Sequence, residues 1–390
     1  MITIKEATTK KDLKVFVKFP FTLYKDSKYW VPPIIRQELE TFDKDKNPIF
    51  NDAEARFFLA YRDHKIVGRV AAIVNWLEVN KQQIKKMRFG WFDFIDDLEV
   101  SKALLETVER IGREHQLEYA EGPVGFSNLD KVGVMTEGFD SIAPMITWYN
   151  HPYYINHYLE NGYKIEKEYS ESKFPFENVK PETFKKAQEL IKRRYKLKAL
   201  KFTKTEEVMP YADRMFDLFN KSYASLASFV EITDLQKAYF KSKFISFVNP
   251  DYIKFVVDEN DNLIAFAIVM PKFAEALQKA NGRLFPVGFS HILKAKKKSK
   301  DVIFYLIGVH PEYQNKGVHA VIFNEYYETF TKKGIQTCYR TPELEDNEAI
   351  HKIWKHFDPV VYKRRKNTEK RLITKKGFAN CKAFFISKIE

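Results

Sequence analysis

Cysteine is nearly absent: the 390 residues hold only Cys338 and Cys381, which excludes a disulfide framework and a cysteine-based zinc site. Long apolar runs are missing too. No stretch approaches the ~18 uninterrupted apolar residues of a spanning helix, so no membrane partner is expected. The opening residues, MITIKEATTKKDLKVFV, are polar and charged, unlike an apolar core followed by a small-residue cleavage site. No secretory signal is therefore expected, and the cytoplasm is the expected compartment. No His/Asp/Glu spacing suggests a metal site. No Gly-x-Ser-x-Gly or similar nucleophile motif occurs either, so a covalent enzyme intermediate is not expected.

What is present is an ordinary globular composition, 45% hydrophobic and 30% charged, which excludes a disordered chain. A length of 390 residues exceeds what one core sustains, so two domains are expected. The 65 Lys/Arg against 52 Asp/Glu give a net charge of +13, which raises the question of nucleic acid. That charge is clustered. From Val361 to Glu390 there are ten Lys/Arg and two Glu, and Lys294, Lys296, Lys297, Lys298 and Lys300 form a second block. Such blocks form solvated faces or loops, or attract a polyanion.

The chain says the same thing twice. Phe57 to Tyr61, a polar turn, then Ile66 to Val74 reads as a β-hairpin, and Tyr252 to Val257, a polar turn, then Leu263 to Val269 reads as another. Ile66 and Leu263 lie 197 residues apart, about half the chain. In each half a third strand and a helix follow: Arg88–Ile95 with Ser101–His115, and Val302–Val309 with Val318–Lys332. The helices rest on period, with Ala103, Leu104, Val108 and Ile111 on one face, and Val318, Val321, Ile322 and Tyr326 on another. A polar stretch with a helix-start proline, Glu177 to Pro181, places the expected boundary between residues 178 and 179. This order predicts an α/β (α+β) fold with a mixed twisted sheet flanked by helices in each half.

The strongest chemical signal follows the third strand of the second half. After Leu306-Ile307-Gly308-Val309 come His310-Pro311-Glu312-Tyr313-Gln314-Asn315-Lys316-Gly317-Val318-His319, and then the helix. A strand, a tight turn and a helix N-terminus bring unpaired N–H groups and the positive end of a helix dipole together, a site suited to a diphosphate. Lys316 adds a cation and Gly317 permits close backbone approach. The alternative is a plain corner in which Gly317 serves only the turn.

Gln314-x-x-Gly317-x-His319 resembles the acyl-CoA pyrophosphate loop of the GNAT superfamily of N-acetyltransferases, Gln/Arg-x-x-Gly-x-Gly/Ala. Asn347 to Trp354 (NEAIHKIW) resembles the family's helix after the fifth strand, Asn-x-x-Ala-x-x-Leu-Tyr. Tyr158-Leu-Glu-Asn-Gly-Tyr163 resembles a GNAT domain ending. The whole is also similar to uncharacterised bacterial tandem GNAT-like proteins that carry Lys18-Phe19-Pro20-Phe21 and Tyr29-Trp30-Val31-Pro32-Pro33.

The resemblance implies tandem GNAT-like domains: 1–178 degenerate, without a pyrophosphate loop, and 179–390 binding acyl-CoA and ending in a basic tail. It implies acetyl-CoA or another acyl-CoA as donor, no metal, and direct transfer to the amine of a small molecule or peptide. The implied cofactor site comprises Ile307, Val309, Gln314, Asn315, Lys316, Gly317, Val318, His319 and Asn347. A homodimer is compatible with it.

The chain departs from the family pattern at three points. His319 replaces Gly or Ala, Ala349 falls one place early, and Trp354 stands where the family's Tyr protonates the leaving thiolate. Indole is no usable acid, and losing a general acid costs roughly 10²–10⁴-fold. Tyr339 and Tyr362 are nearby substitutes. In the first half, Asp96, Asp97 and Glu99 stand where the loop should be, and carboxylates at a helix N-terminus repel phosphate. Glu343 and Glu345, after the strand Thr337–Arg340, are the candidate bases for the acceptor ammonium; alternatively, Glu345 and Asp346 only favour the next helix start. His351 and His356 read as helix-surface residues. Leu284 to Leu293 reads as an insertion that packs against the first half or caps a pocket.

Two other classes fit. An inactive GNAT-like module would bind acyl-CoA or a protein as a sensor, as Trp354 favours. A nucleic-acid binder would use Lys294–Lys300 and Lys363–Lys376, yet no reading motif accompanies them.

Overall fold

Strands buried on both faces form the centre of each half. In the computed structural model, which describes residues 1–127, 129–226, 229–245 and 248–372, the chain divides into two compact units. The first takes residues 1–140, 147–168 and the described residues from 365 onward; the second takes 141–146 and 169–364. The change of unit thus falls at Glu168/Tyr169 rather than between 178 and 179. The helix start expected at Pro181 is present, with Pro181 at the N-cap of a helix that lies within the second unit.

In the first unit, β1 (Thr3–Glu6), α1 (Lys10–Leu23) and α2 (Ile35–Thr41) precede the hairpin of β2 (Ala53–Arg62) and β3 (Lys65–Asn75). Next come β4 (Lys86–Phe94), α3 (Leu98–Glu114), β5 (Tyr119–Gly122), β6 (Val134–Glu137) and α4 (Tyr154–Glu160). β3 is antiparallel to β2 and β4, while β4 and β5 run parallel. From Val67 to Asn75 every residue of β3 is buried, as expected of a strand covered on both faces. α3 contributes Val100, Leu104, Leu105, Val108 and Ile111 to the cluster that holds Met87 and Phe89 of β4.

The alternate residues of β4, Lys86 and Arg88, are buried as well. Burial of charge requires partners, and these are supplied: Lys86 lies 2.5 Å from Glu78 and 2.7 Å from Glu121, Arg88 lies 2.8 Å from Glu78, and Lys167 lies 2.8 Å from Glu121. Burial pushes the Glu121 carboxyl up, but Lys86 and Lys167 outweigh it and hold the group at about 2.

The chain passes to the second unit within β7 (Lys164–Pro175) and continues through α5 (Glu182–Tyr195), β8 (Lys198–Leu200), α6 (Thr205–Val208), α7 (Ala212–Tyr223) and α8 (Asp234–Phe240). The hairpin β9 (Ile253–Val257) and β10 (Leu263–Pro271) follows, then α9 (Ala274–Ala280), α10 (Gly288–Lys298), β11 (Asp301–Val309) and α11 (His319–Lys333). β12 (Thr337–Arg340), β13 (Glu343–Leu344), α12 (Glu348–Trp354) and β14 (Val360–Arg371) complete the described chain. The strand order is β7-β12-β11-β10-β9-β8. β11 is antiparallel to β10 and parallel to β12, repeating the β3-β4-β5 arrangement of the first unit. Both expected hairpins, both third strands and both following helices are therefore present, and the fold is mixed α/β.

Two sequence expectations are corrected. Residues 361–372 of the basic tail are not a solvated loop but largely the strand β14, with Lys363, Arg365, Asn367 and Thr368 fully buried. Its cations are committed: Lys363 donates to the Ser141 carbonyl at 2.8 Å, Arg365 to the Trp148 carbonyl at 2.6 Å, and Lys370 to Glu109 at 2.8 Å. Lys375, Lys376, Phe378 and Cys381 lie outside the described residues. The Leu284–Leu293 stretch does not pack away as a whole. Ile292 and Leu284 join Phe273, Ala276 and Met145, while Phe285, Val287, Phe289 and Leu293 remain exposed.

Candidate functional site

In the second unit, β11 and β12 separate part-way along their length. Their parallel ladder runs from Asp301/Thr337 to Phe304/Arg340 and stops there, whereas β11 continues beside β10 to Val309/Ala265. The phase of the β10–β11 ladder follows from the His310 N–H donating to the Ile264 carbonyl at 2.8 Å. Antiparallel pairs alternate between hydrogen-bonded and non-bonded, so Ile307 and Val309 turn their N–H and C=O groups toward the opened edge. Two side chains satisfy the carbonyls: the Tyr223 hydroxyl donates to Ile307 at 3.0 Å and Gln314 Nε2 donates to Val309 at 3.3 Å. Among the described residues, the two N–H groups keep no strand partner on that side.

β11 then leads into the turn. A 3₁₀ segment, Pro311–Tyr313, is followed by Asn315 at φ 59° and Gly317 at φ 77°, both left-handed, which tightens the chain onto the start of α11. Val318 is the N-cap and offers no side-chain cap, and the first turn of α11 holds no acid. Among the described residues, the N–H groups of Asn315, Gly317, Val318 and His319 have no backbone or side-chain acceptor. A helix start left this way offers unpaired N–H groups and the positive end of the helix dipole to an anion.

Lys316 lies over the rings of Tyr195 at 5.5 Å and Tyr313 at 5.2 Å, which restrain its ammonium beside the turn. The His319 ring lies 6.1 Å from Phe323, one turn further along α11. Burial, with a smaller contribution from His356, lowers its pKa and favours the neutral imidazole.

The equivalent place in the first unit is built differently. The β4–β5 ladder also stops early, at Arg88/Glu121, but the gap is filled by the chain: the Val124 N–H donates to the Phe89 carbonyl at 2.8 Å. A Cβ on Gly90 would lie 2.7 Å from the Val124 carbonyl oxygen. The N-terminus of α3 is closed, since Asp97 caps it by accepting from the Glu99 N–H at 3.0 Å. Arg62 binds Asp97 at 2.5 Å and Glu99 at 2.9 Å.

The remaining sequence-selected residues are each engaged with partners of their own. Glu343 is held by Arg340 in a two-pronged ion pair; Arg340 also donates to Ser172 Oγ at 2.9 Å and lies 4.9 Å over the Trp354 ring. Burial lowers the Arg340 pKa. Glu345 pairs with Arg364, both partly exposed. Asn347 caps α12, its Oδ1 accepting from the Ile350 N–H at 3.3 Å.

Trp354 is 1% exposed and packs against Phe304 (4.9 Å) and Phe323 (5.2 Å), with Nε1 unpartnered among the described residues. It fills the core where the family's tyrosine was expected. Tyr339 points to the opposite sheet face from Arg340 by strand alternation, and Lys272 lies 4.8 Å over its ring. Burial raises its phenol pKa. The thiol of buried Cys338 is pushed far above its ordinary value by burial, so it is no nucleophile.

The sequence reading missed Tyr223. It lies at the end of α7, and only the β11 register reveals that its hydroxyl reaches the opened edge. Burial pushes this phenol up to about 12, so it is protonated at neutral pH.

Two halves, each with an antiparallel hairpin, a third strand, a helix and a parallel strand that parts from it, define a tandem GNAT fold. The tandem GNAT protein from the clavulanic acid biosynthesis pathway superposes with a TM-score of 0.58 at 9% identity, over 96% of this chain and 99% of that one. No protein-family model matches the chain. Two curated relatives align along nearly their whole length. Protein YghO of Escherichia coli is 24% identical over 374 residues, 93% of this chain and 94% of that protein. The bacterial ceramide synthase of Caulobacter vibrioides is 24% identical over 380 residues, 93% of this chain and 96% of that protein.

Proposed function

We propose that the chain is an acyl-CoA-dependent N-acyltransferase, with its donor site in the second unit and an amphiphilic long-chain amine as acceptor. The observation that carries this reading is the set of unpaired donors: Ile307 and Val309 on the opened strand, and Asn315, Gly317, Val318 and His319 at the uncapped start of α11. A pantetheine arm is an extended chain with two amides and pairs with a strand edge as another strand would. Its diphosphate then meets the helix N-terminus, with Lys316 beside it. The acceptor rests on the relative called a bacterial ceramide synthase, by that name an enzyme that forms an N-acylated long-chain amine.

In the proposed reaction the amine nitrogen attacks the thioester carbonyl, the C–N bond forms and the C–S bond breaks. N–H groups at the opened edge stabilise the oxygen as it gains charge. Tyr223 turns its single O–H from the Ile307 carbonyl to the departing sulfur and donates a hydrogen bond there; its high pKa keeps it protonated. Glu345, whose ion pair with Arg364 is partly exposed, takes the ammonium proton. Glu343 is committed to Arg340.

The test is mass-spectrometric detection of amide after incubation with acyl-CoAs of increasing chain length and a panel of amines that includes long-chain amino diols. Transfer that falls roughly 10²–10³-fold in Tyr223→Phe, with CoA affinity unchanged, supports the reading. CoA binding with no transfer to any amine would support the sensor reading that buried Trp354 favours.

A further inference from the structure

The connection between β10 and β11 carries an apolar tip in a basic surround. Phe285 is 74% exposed, Val287 57%, Phe289 45% and Leu293 38%, and the Phe285 and Phe289 rings stack at 6.1 Å. The other side of the same helix is anchored: Ile292 is buried with Phe273 and Ala276. This segment is therefore a fixed part of the fold with one side left apolar and wet. Residues 274–300 contain seven Lys/Arg and a single acid, Glu275, and Glu275 is paired with Lys272 at 2.7 Å. Lys279, Arg283, Lys294, Lys297, Lys298 and Lys300 are exposed.

We propose that the α9–α10 hairpin is a peripheral membrane-docking element for anionic phospholipid bilayers. Phe285, Val287, Phe289 and Leu293 enter the boundary between headgroups and acyl chains, while the lysines of α10 contact the headgroup phosphates. No helix among the described residues is long and apolar enough to cross a membrane, but a helix that lies in the interface needs no such run. The expectation of no membrane partner rested on spanning alone.

Charge decides between the occupants. A second copy of the same surface would bring two strongly cationic segments together. Nucleic acid would use the charge but not the apolar tip: Val287 and Leu293 offer no stacking face, and the two phenylalanines already stack on each other. An anionic bilayer satisfies both features at once. The proposal does not depend on acyl transfer, although an amphiphilic acceptor would be met at this surface.

The test is sedimentation of the full chain with phosphatidylcholine vesicles containing 30% phosphatidylglycerol, against phosphatidylcholine alone. Each lysine near an anionic surface contributes roughly fivefold in partition, so Lys294→Gln, Lys297→Gln and Lys298→Gln together should weaken binding by about 100-fold. Phe285→Ser with Phe289→Ser should weaken it by at least ~10-fold, with the thermal melt unchanged. Phe285→Trp should add a blue-shifted emission on anionic vesicles that the parent lacks. The proposal is overturned if the full chain ignores anionic vesicles, or if binding survives either set of substitutions. It is also overturned if the serine pair instead dissociates a dimer in light scattering, or if duplex DNA binds more tightly than vesicles and the serine pair leaves that unchanged.

Discussion

Gly317 offers a direct test of where phosphate charge sits, through the paired substitutions Gly317→Asn and Gly317→Asp. Its φ of 77° is left-handed, and a Cβ there would lie 2.8 Å from Ile191 Cδ1, the end of a flexible side chain that can give way. Asn and Asp tolerate this backbone better than other residues, so both variants should lose a similar ~1 kcal/mol of stability. They have nearly the same shape and differ by one negative charge. If the CoA diphosphate lies on the N–H groups of Asn315 to His319, the Asp carboxylate stands roughly 5 Å from a phosphate. At an effective dielectric of about 20 that repulsion is about 3 kcal/mol, or ~100-fold in Kd. Calorimetry with CoA should therefore give a modest loss for Asn and a loss about 100-fold larger for Asp, alongside matching melts. Equal affinities for the two variants would refute the placement of the diphosphate.

Two further outcomes are expected. Because Asp97, Glu99 and Arg62 close the start of α3 and Val124 fills the gap beside β4, a CoA titration should saturate at one equivalent per chain; saturation at two would count against the assignment of the first unit as non-binding. Glu121 is held at about 2, below its unfolded value, so it contributes stability above pH ~4.5 that is lost as the pH falls toward 2. Glu121→Gln should cost about 3 kcal/mol at pH 7 in denaturant melts, and the gap from the parent should close between pH 4.5 and 2; a gap independent of pH would refute the ion-pair explanation.

Much of this fold was legible because its signals are local. The hairpins at 57–74 and 252–269 are apolar runs around polar turns, and amphipathic period marks α3 and α11. The turn at Gln314–Gly317 is a local motif as well. What escaped the sequence depends on partners distant along the chain. Lys363 and Arg365 read as a solvated tail because nothing nearby announces the carbonyls of Ser141 and Trp148 that receive them. Glu343 read as a free base because its commitment to Arg340 requires the turn after β12 to fold back. Tyr223 carried no signal at all: its position at the edge of β11 arises from packing of α7 on the sheet. The burial of Trp354 among Phe304 and Phe323 could only come from the core.

The two halves also act as a comparison within one molecule. A helix start without a cap forgoes ~1 kcal/mol, and a strand edge with unpaired donors forgoes further hydrogen bonds. In the first unit the chain has removed both costs: Asp97 caps α3, Arg62 neutralises the carboxylates there, and Val124 closes the gap beside β4. In the second unit neither remedy is present among the described residues: Val318, at the N-cap of α11, offers no side-chain acceptor. Stability alone gives no reason to leave the second copy bare while the first is sealed. Unpaired donors in one copy of an architecture that elsewhere pairs them are the ground on which we place the proposed acyl-CoA site in the second unit and not in the first.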